Sequence, residues 1–216
     1  MGTAIPKQYL SLAGKPVIHH TLDRLCSCPV FTGIVVGIGE DDQWWAESGY
    51  ANVKLVGSYA GGAQRAHTVL NGLRYLCDFA GANPDDWVAV HDAVRPLVRC
   101  SDIEELLQQA RRNGYGAILG VAVVDTLKTL GKDALITGTS ERKRLFRAMT
   151  PQVFKLGELA TALSKSIEDG RNVTDESMAM EKPDRFPAAV VGSAMNIKLT
   201  VPQDLELIRM GLEHAS

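Results

Sequence analysis

Short apolar runs alternate with amphipathic stretches along most of the chain. Gly33 to Ile38 (GIVVGI) is a continuous apolar segment and predicts a buried strand. Val53 to Val56 is a shorter candidate, and Gly116 to Val124 a longer one. Trp87 to Val90 predicts a further buried strand that runs straight into His91-Asp92. Helical patterns lie between these runs. From Arg65 to Cys77 the apolar positions Val69, Leu70, Leu73 and Leu76 recur near a 3.6-residue spacing. Ser101, followed three residues later by Glu104, reads as a capping box opening a helix through Ala110. Pro202 to Leu212 reads as a closing helix with proline in its first turn. Trp44 and Trp45 read as packing or helix-surface aromatics, and His19-His20 as part of a first helix.

Strands alternating with helices predict an α/β fold with a mostly parallel sheet covered on both faces. Ligands in such sheets sit at the carboxyl ends of strands. That rule directs attention to Gly57–Gly62, His91–Pro96 and Asp125–Lys128. One stretch breaks the alternation. Thr126 to Pro151 carries a turn signal, Gly131-Lys132-Asp133, between two segments of strand character. It predicts a protruding β-hairpin, and a hairpin alone is marginal in water, so a second subunit is its natural partner. The chain opens with Met1-Gly2-Thr3-Ala4-Ile5-Pro6-Lys7 and then a helix, where such a fold normally begins with a buried strand.

The 216 residues, 45% hydrophobic, fit one domain over 1–216 with a core that needs no staples. Charge is balanced, 23 Lys and Arg against 25 Asp and Glu, which argues against a nucleic-acid partner. A local phosphate pocket is invisible in that sum. Cys26 and Cys28 are the one close cysteine pair, and C-x-C is neither a redox nor a zinc spacing. Free thiols point to a reducing compartment. No apolar run approaches the roughly 20 residues of a membrane helix. The N-terminus lacks a signal-peptide pattern. The reading is a cytoplasmic protein without a membrane partner.

His91-Asp92-Ala93-Val94-Arg95-Pro96 carries the first candidate chemistry. An aspartate at a strand's carboxyl end suits Mg²⁺, which prefers oxygen ligands and substrate phosphates. Arg95 can grip a phosphate bidentately. Alone, the same residues read equally as a turn. Ser58 to Arg65 (SYAGGAQR) is a glycine loop before a helix, where backbone N–H groups can meet an anion. It is neither a Walker A motif nor G-x-G-x-x-G, and by itself it is an ordinary loop. Asp125-Thr126-Leu127-Lys128 is either a polar site or a solvated strand end, and Lys7 and Lys198 are single lysines. Arg142, Lys143, Arg144 and Arg147 form a basic run. It is a solvated face unless the hairpin crosses to a partner, where one of these residues could enter the partner's site. The five histidines show no metal-ligand spacing. No nucleophile–base pair stands out. A substrate phosphate attacking the α-phosphorus of a nucleotide is already anionic, so it needs placement and charge neutralisation instead. The scattered Lys, Arg and Asp set fits that demand.

Seven segments, in order across the whole chain, resemble the 2-C-methyl-D-erythritol 4-phosphate cytidylyltransferases. They are PKQYLSLAGKPVIHHTLDRL (Pro6 to Leu25), GGAQRAHTVLNGL (Gly61 to Leu73), VHDAVRP (Val90 to Pro96), DTLK (Asp125 to Lys128), Arg142-x-x-Leu145-Phe146 with TPQVF (Thr150 to Phe154), TDES (Thr174 to Ser177) and NIKLT (Asn196 to Thr200). The resemblance implies a Rossmann-like fold and a homodimer joined by the hairpin arm, about 125–151. It implies Mg²⁺, CTP and a sugar-alcohol phosphate. Lys7, Lys198 and Asp92 would serve catalysis at the CTP phosphates, with Asp92 also at the metal. Gly61, Gly62, Ala63 and Thr68 would lie against the nucleotide. Arg95, Asp125 and Thr126 would face the sugar-alcohol phosphate. Arg142 and Thr150 would reach into the neighbouring subunit's site and hold the substrate phosphate.

Two departures from the family pattern stand out. A first strand and a glycine-rich loop, P-A-A-G-x-G-x-R-M, are expected before Gly2, with Met1 as the single remnant here. That loop would wrap the triphosphate and supply an arginine. Thr68 stands where many relatives have serine, and both supply a hydroxyl. The nearest rival is ribitol 5-phosphate cytidylyltransferase, from which Lys128 and the Arg142-x-x-Leu145-Phe146 pattern separate this chain. An inactive nucleotide-binding module is a second alternative. A fusion with the next pathway cyclase is not expected, since the sequence closes at Ser216 after its last helix.

Overall fold

The structure, a computed structural model, describes residues 5–214. The expectations attached to Met1 and Gly2 lie outside the described residues. A 3₁₀ turn (Lys7–Tyr9) leads into a tight hairpin, β1 (Ser11–Leu12) and β2 (Lys15–Pro16), before α1 (Val17–Ser27). The chain therefore does not pass directly into a helix, because Ala13 and Gly14, both at positive φ, fold it back first. Then come β3 (Ile34–Ile38), α2 (Trp44–Ser48), β4 (Leu55–Ala60), α3 (Arg65–Ala80), β5 (Trp87–Val90), α4 (Cys100–Asn113) and β6 (Ala117–Ala122). A hairpin, β7 (Leu127–Leu130) with β8 (Ile136–Ser140), precedes the long β9 (Phe146–Lys155). α5 (Leu156–Glu168), α6 (Glu176–Met180), β10 (Ala188–Val191) and α7 (Pro202–Glu213) complete the order.

Several boundaries differ from the sequence reading, each for a local reason. β4 starts after Val53 and runs to Ala60, so Gly57 to Ala60 are strand rather than loop, held in the parallel ladder with β3. α3 passes Cys77 and stops at Gly81, which takes the left-handed φ of 67° that glycine tolerates. The N–H of Ala82 then closes the helix end on the Leu76 carbonyl at 3.0 Å. α4 begins at Cys100, with Arg99 in the cap position and no side-chain cap, so Ser101 and Glu104 lie inside the helix. Its first-turn Asp102 instead accepts the Ser193 N–H at 2.9 Å, which ties the helix to the segment after β10.

The main sheet has the order β10-β6-β9-β5. β10 and β6 run parallel, and β9 runs antiparallel to both β6 and β5. β3 and β4 form a parallel two-stranded ribbon, not hydrogen-bonded to the main sheet among the described residues. The fold is the expected α/β one, with β9 as its reversed strand. β9 also shortens the expected arm. The hairpin ends at Ser140, and from Phe146 the chain joins the central sheet. Met149 through Phe154 are all buried, which only a strand covered on both faces achieves.

The two faces can be read from successive residues of β9, whose side chains alternate. Phe154 packs with Leu70 and Leu73 of α3 and Leu159 and Leu163 of α5. Val153 packs on the other side with Leu106 and Ala110 of α4, Leu119 of β6 and Val190 of β10. The Phe154 ring lies over Gly116, where an added Cβ would come within 2.2 Å of the ring at a φ of 138°. Trp44 and Trp45 pack against the cluster of Tyr9, Ile18, Leu22 and Val36. The hairpin strands β7 and β8 are exposed throughout. Among the described residues no helix is long and apolar enough to cross a membrane.

Candidate active site

β5 ends at Val90, opposite Gln152 of β9. Two residues further on, Asp92 lies beside Thr150, and its backbone N–H donates to the Thr150 hydroxyl at 3.0 Å. The Asp92 carboxylate is the hub of the site. Its Oδ2 lies 3.0 Å from Lys198 Nζ and 3.2 Å from Arg95 Nε, and its Oδ1 lies 3.7 Å from Arg65 Nε. Burial alone would push the carboxyl up, but Lys198, Arg65 and Arg95 outweigh it and pull it down to about 2. Asp92 is therefore an anion throughout the physiological range.

Each cation comes from a different segment. Arg95 follows a tight turn closed by its own N–H on the Asp92 carbonyl, and its Nη1 donates to the Asn196 carbonyl at 2.8 Å. Lys198 arrives on the segment after β10. That segment is docked by Asn196 Nδ2 on the Thr150 carbonyl at 2.8 Å and by the Leu199 N–H on the Val94 carbonyl at 2.9 Å. Arg65 is the first residue of α3, and its fork closes on the fully buried Glu176 of α6, Nη1 to Oε1 at 2.5 Å and Nη2 to Oε2 at 3.0 Å. Burial raises the Glu176 carboxyl against the pull of Arg65. Burial also lowers Arg65, but Glu176 and Asp92 more than reverse it. The bidentate geometry is that of an ionised pair. His91 is half-buried, its ring sunk far enough that desolvation pushes it down to about 4 and holds it neutral, with Nε2 3.1 Å from the Arg95 carbonyl.

At the carboxyl end of β4 the Gly61 N–H donates to the Ile38 carbonyl at 2.7 Å, and the Gly62 N–H donates to Thr68 Oγ1 at 3.0 Å. Gly61, Gly62 and Ala63 thus form one turn leading into α3, tied to Thr68 in that helix's first turn. Asp92, Arg95, Lys198 and Thr150 come together as a single cluster. Thr150 does so within its own chain. It is buried in β9 and its hydroxyl accepts the Asp92 N–H. Lys7 is half-buried in the 3₁₀ turn and is not among the ion-pair partners of Asp92. Asp125 and Thr126 are exposed between β6 and β7. Arg142 is exposed and donates to the Val124 carbonyl at the hairpin base.

The residues that sequence reasoning left without a role are Arg65 and Glu176. Both lie inside motifs quoted above, but 111 positions separate them. The one local signal is the acidic doublet Asp175-Glu176 ahead of a short helix, which Asp175 caps through the Met178 N–H at 2.9 Å. Among the described residues no group of three or more His, Cys, Asp or Glu side chains could hold a metal by itself.

The sequence model of the family described as 2-C-methyl-D-erythritol 4-phosphate cytidylyltransferase matches residues 1–214. A protein of that name from Pseudomonas aeruginosa is 42% identical over 209 residues, 97% of this chain and 89% of the relative. One from Xanthomonas campestris pv. campestris is 45% identical over 204 residues, 94% of this chain and 76% of the relative. The crystal structure of the Francisella tularensis protein of that name superposes with a TM-score of 0.84 at 34% identity, covering 96% of this chain and 93% of that one. By this match, and with a fold that agrees with it, the chain belongs to the 2-C-methyl-D-erythritol 4-phosphate cytidylyltransferase family.

Proposed function

We propose that the chain transfers CMP from CTP to 2-C-methyl-D-erythritol 4-phosphate, giving 4-diphosphocytidyl-2-C-methyl-D-erythritol and pyrophosphate. The observation that carries this is the anionic Asp92 among Lys198, Arg95 and Arg65, in a chain of this family. A phosphate oxygen of the acceptor bonds to the α-phosphorus, and the bond to the bridging oxygen breaks, leaving its electron pair on pyrophosphate. No proton has to move, so the residues supply placement and charge. Lys198 exchanges Asp92 for the α-phosphate, and Lys7 takes the neighbouring phosphates. Both offset charge on the five-coordinate phosphorus. Gly61, Gly62, Ala63 and Thr68 take the nucleoside. Arg95, Asp125, Thr126 and Thr150 line the acceptor side.

The donor set at Asp92 suits Mg²⁺ delivered with the nucleotide. One ionised carboxylate without further acidic partners matches an ion that keeps waters and shares substrate phosphates, rather than one caged by protein. Asp92 would hold Mg²⁺ together with the substrate phosphates, and the ion would supply positive charge against theirs. The four free cysteines support a reducing, cytoplasmic setting.

The hairpin exposes Leu130, Leu135 and Ile136, which supports its packing on a second copy of the chain as a homodimer. In that arrangement Arg142 holds the acceptor phosphate in the partner's site. Arg142→Ala is expected to raise KM for the acceptor by roughly 10–100-fold, the size of one charge-assisted hydrogen bond, and KM for CTP by less than about threefold. An unchanged acceptor KM would remove Arg142 from the site. The functional test is pyrophosphate release from CTP and Mg²⁺ with methylerythritol 4-phosphate and ribitol 5-phosphate as parallel acceptors. Release with the first alone supports the proposal. Release with ribitol 5-phosphate moves the assignment to that acceptor, and release with neither leaves a nucleotide-binding module.

A further inference from the structure

We propose that the Arg65–Glu176 pair is a positioning device that fixes where Asp92 stands. The proposal rests on the reading above, that Asp92 serves nucleotidyl transfer. An arginine beside a phosphate site is ordinarily assigned to anion binding. The geometry of Arg65 points elsewhere. Both of its Nη atoms are engaged by Glu176, and its Nε faces Asp92 Oδ1 at 3.7 Å. The fork is thus closed on protein, not open to a ligand.

Glu176 is itself immobilised. It is fully buried on α6, whose first turn is locked to β9 by Gln152. Gln152 Nε2 donates to Asp175 Oδ2 at 2.9 Å, and its Oε1 accepts the Ser177 N–H at 2.8 Å. Two residues earlier on the same strand, Thr150 receives the backbone N–H of Asp92. The backbone and the carboxylate of Asp92 are therefore referenced to one strand by two independent routes. The clamp is also asymmetric. Oδ2 meets Lys198, a flexible ammonium that the transfer reaction recruits, and Arg95 Nε at 3.2 Å, whereas Oδ1 meets a guanidinium whose fork Glu176 holds. When Lys198 turns to the α-phosphate, Arg95 stays on Oδ2 and Arg65 fixes the Oδ1 side, which sets the orientation of the carboxylate.

Glu176→Gln keeps the shape but removes the charge that closes the fork. It is expected to lower kcat for pyrophosphate release by about 10–100-fold while KM for CTP changes less than about threefold. In an Asp92→Asn background the same substitution should lower kcat less than about twofold. Equal losses in both backgrounds would make the pair merely structural and overturn the proposal. Arg65→Lys keeps the charge without the fork and should lose as much as Glu176→Gln. Rescue by lysine would make Arg65 an anion ligand and equally overturn it. Should Glu176→Gln not fold, Arg65→Lys carries the same kinetic cycle. Crystal structures of the two variants give a readout apart from activity. The Lys198–Asp92 contact should lengthen beyond about 4 Å, and an Asp92 that has not moved overturns the proposal. That readout holds even if the unsubstituted protein releases no pyrophosphate, an outcome that would sink the functional reading alone.

Discussion

Asp92→Asn is expected to lower kcat by roughly two to three orders of magnitude, the scale of removing one preorganised charge from a site of this kind. Asparagine preserves the shape, so the loss isolates the charge. Two consequences of that charge disappear together. The carboxylate proposed to hold the nucleotide's Mg²⁺ is gone, and Lys198, Arg95 and Arg65 lose the anion that holds them 3.0 to 3.7 Å away. CTP affinity measured without metal should hold or rise, because the phosphates no longer compete with Asp92 for Lys198. Titration calorimetry for the binding and steady-state pyrophosphate release for the turnover separate the two effects. A kcat within about threefold of the unsubstituted protein would exclude Asp92 from the chemistry.

The largest effect on stability is expected at Phe154. The ring is fully buried, lies over Gly116 and packs between α3 and α5. Phe154→Ala should reduce the free energy of unfolding by about 3–5 kcal/mol, combining lost burial with a cavity that the surrounding leucines cannot collapse. That is a large share of the roughly 5–15 kcal/mol a domain has. Urea unfolding followed by circular dichroism measures it through the midpoint. A loss below about 1 kcal/mol would mean that β9 does not hold the two helical layers together.

What the sequence disclosed follows from how local each signal is. Trp87 to Val90 is an apolar run that ends abruptly at polar residues, so both the strand and the position of Asp92 at its end could be read directly. Pro202 likewise marked the start of α7. β9 was harder. It begins beside the basic run of Arg142 to Arg147 and contains Pro151, features of an arm or an edge rather than a central strand. Only its pairing with both β5 and β6 reveals where it runs, and with it the inward place of Thr150. The capping box at Ser101 failed for a related reason. Helix α4 is anchored through Asp102 to Ser193, a contact 91 positions away, which overrides the local capping signal. Arg65 and Glu176 were invisible as a pair because nothing local tells a buried partner from a solvated charge.

Among the described residues the β3–β4 ribbon and the main sheet share no backbone ladder, and side chains join them instead. The Gly61 to Ala63 turn hangs on the ribbon, whereas Asp92 hangs on the main sheet. α3 starts between them, and its first residue grips Asp92 and Glu176. The start of α3 is thus a fixed point: a displacement of the ribbon would meet a guanidinium that the buried Glu176 holds, which insulates the Asp92 carboxylate from it.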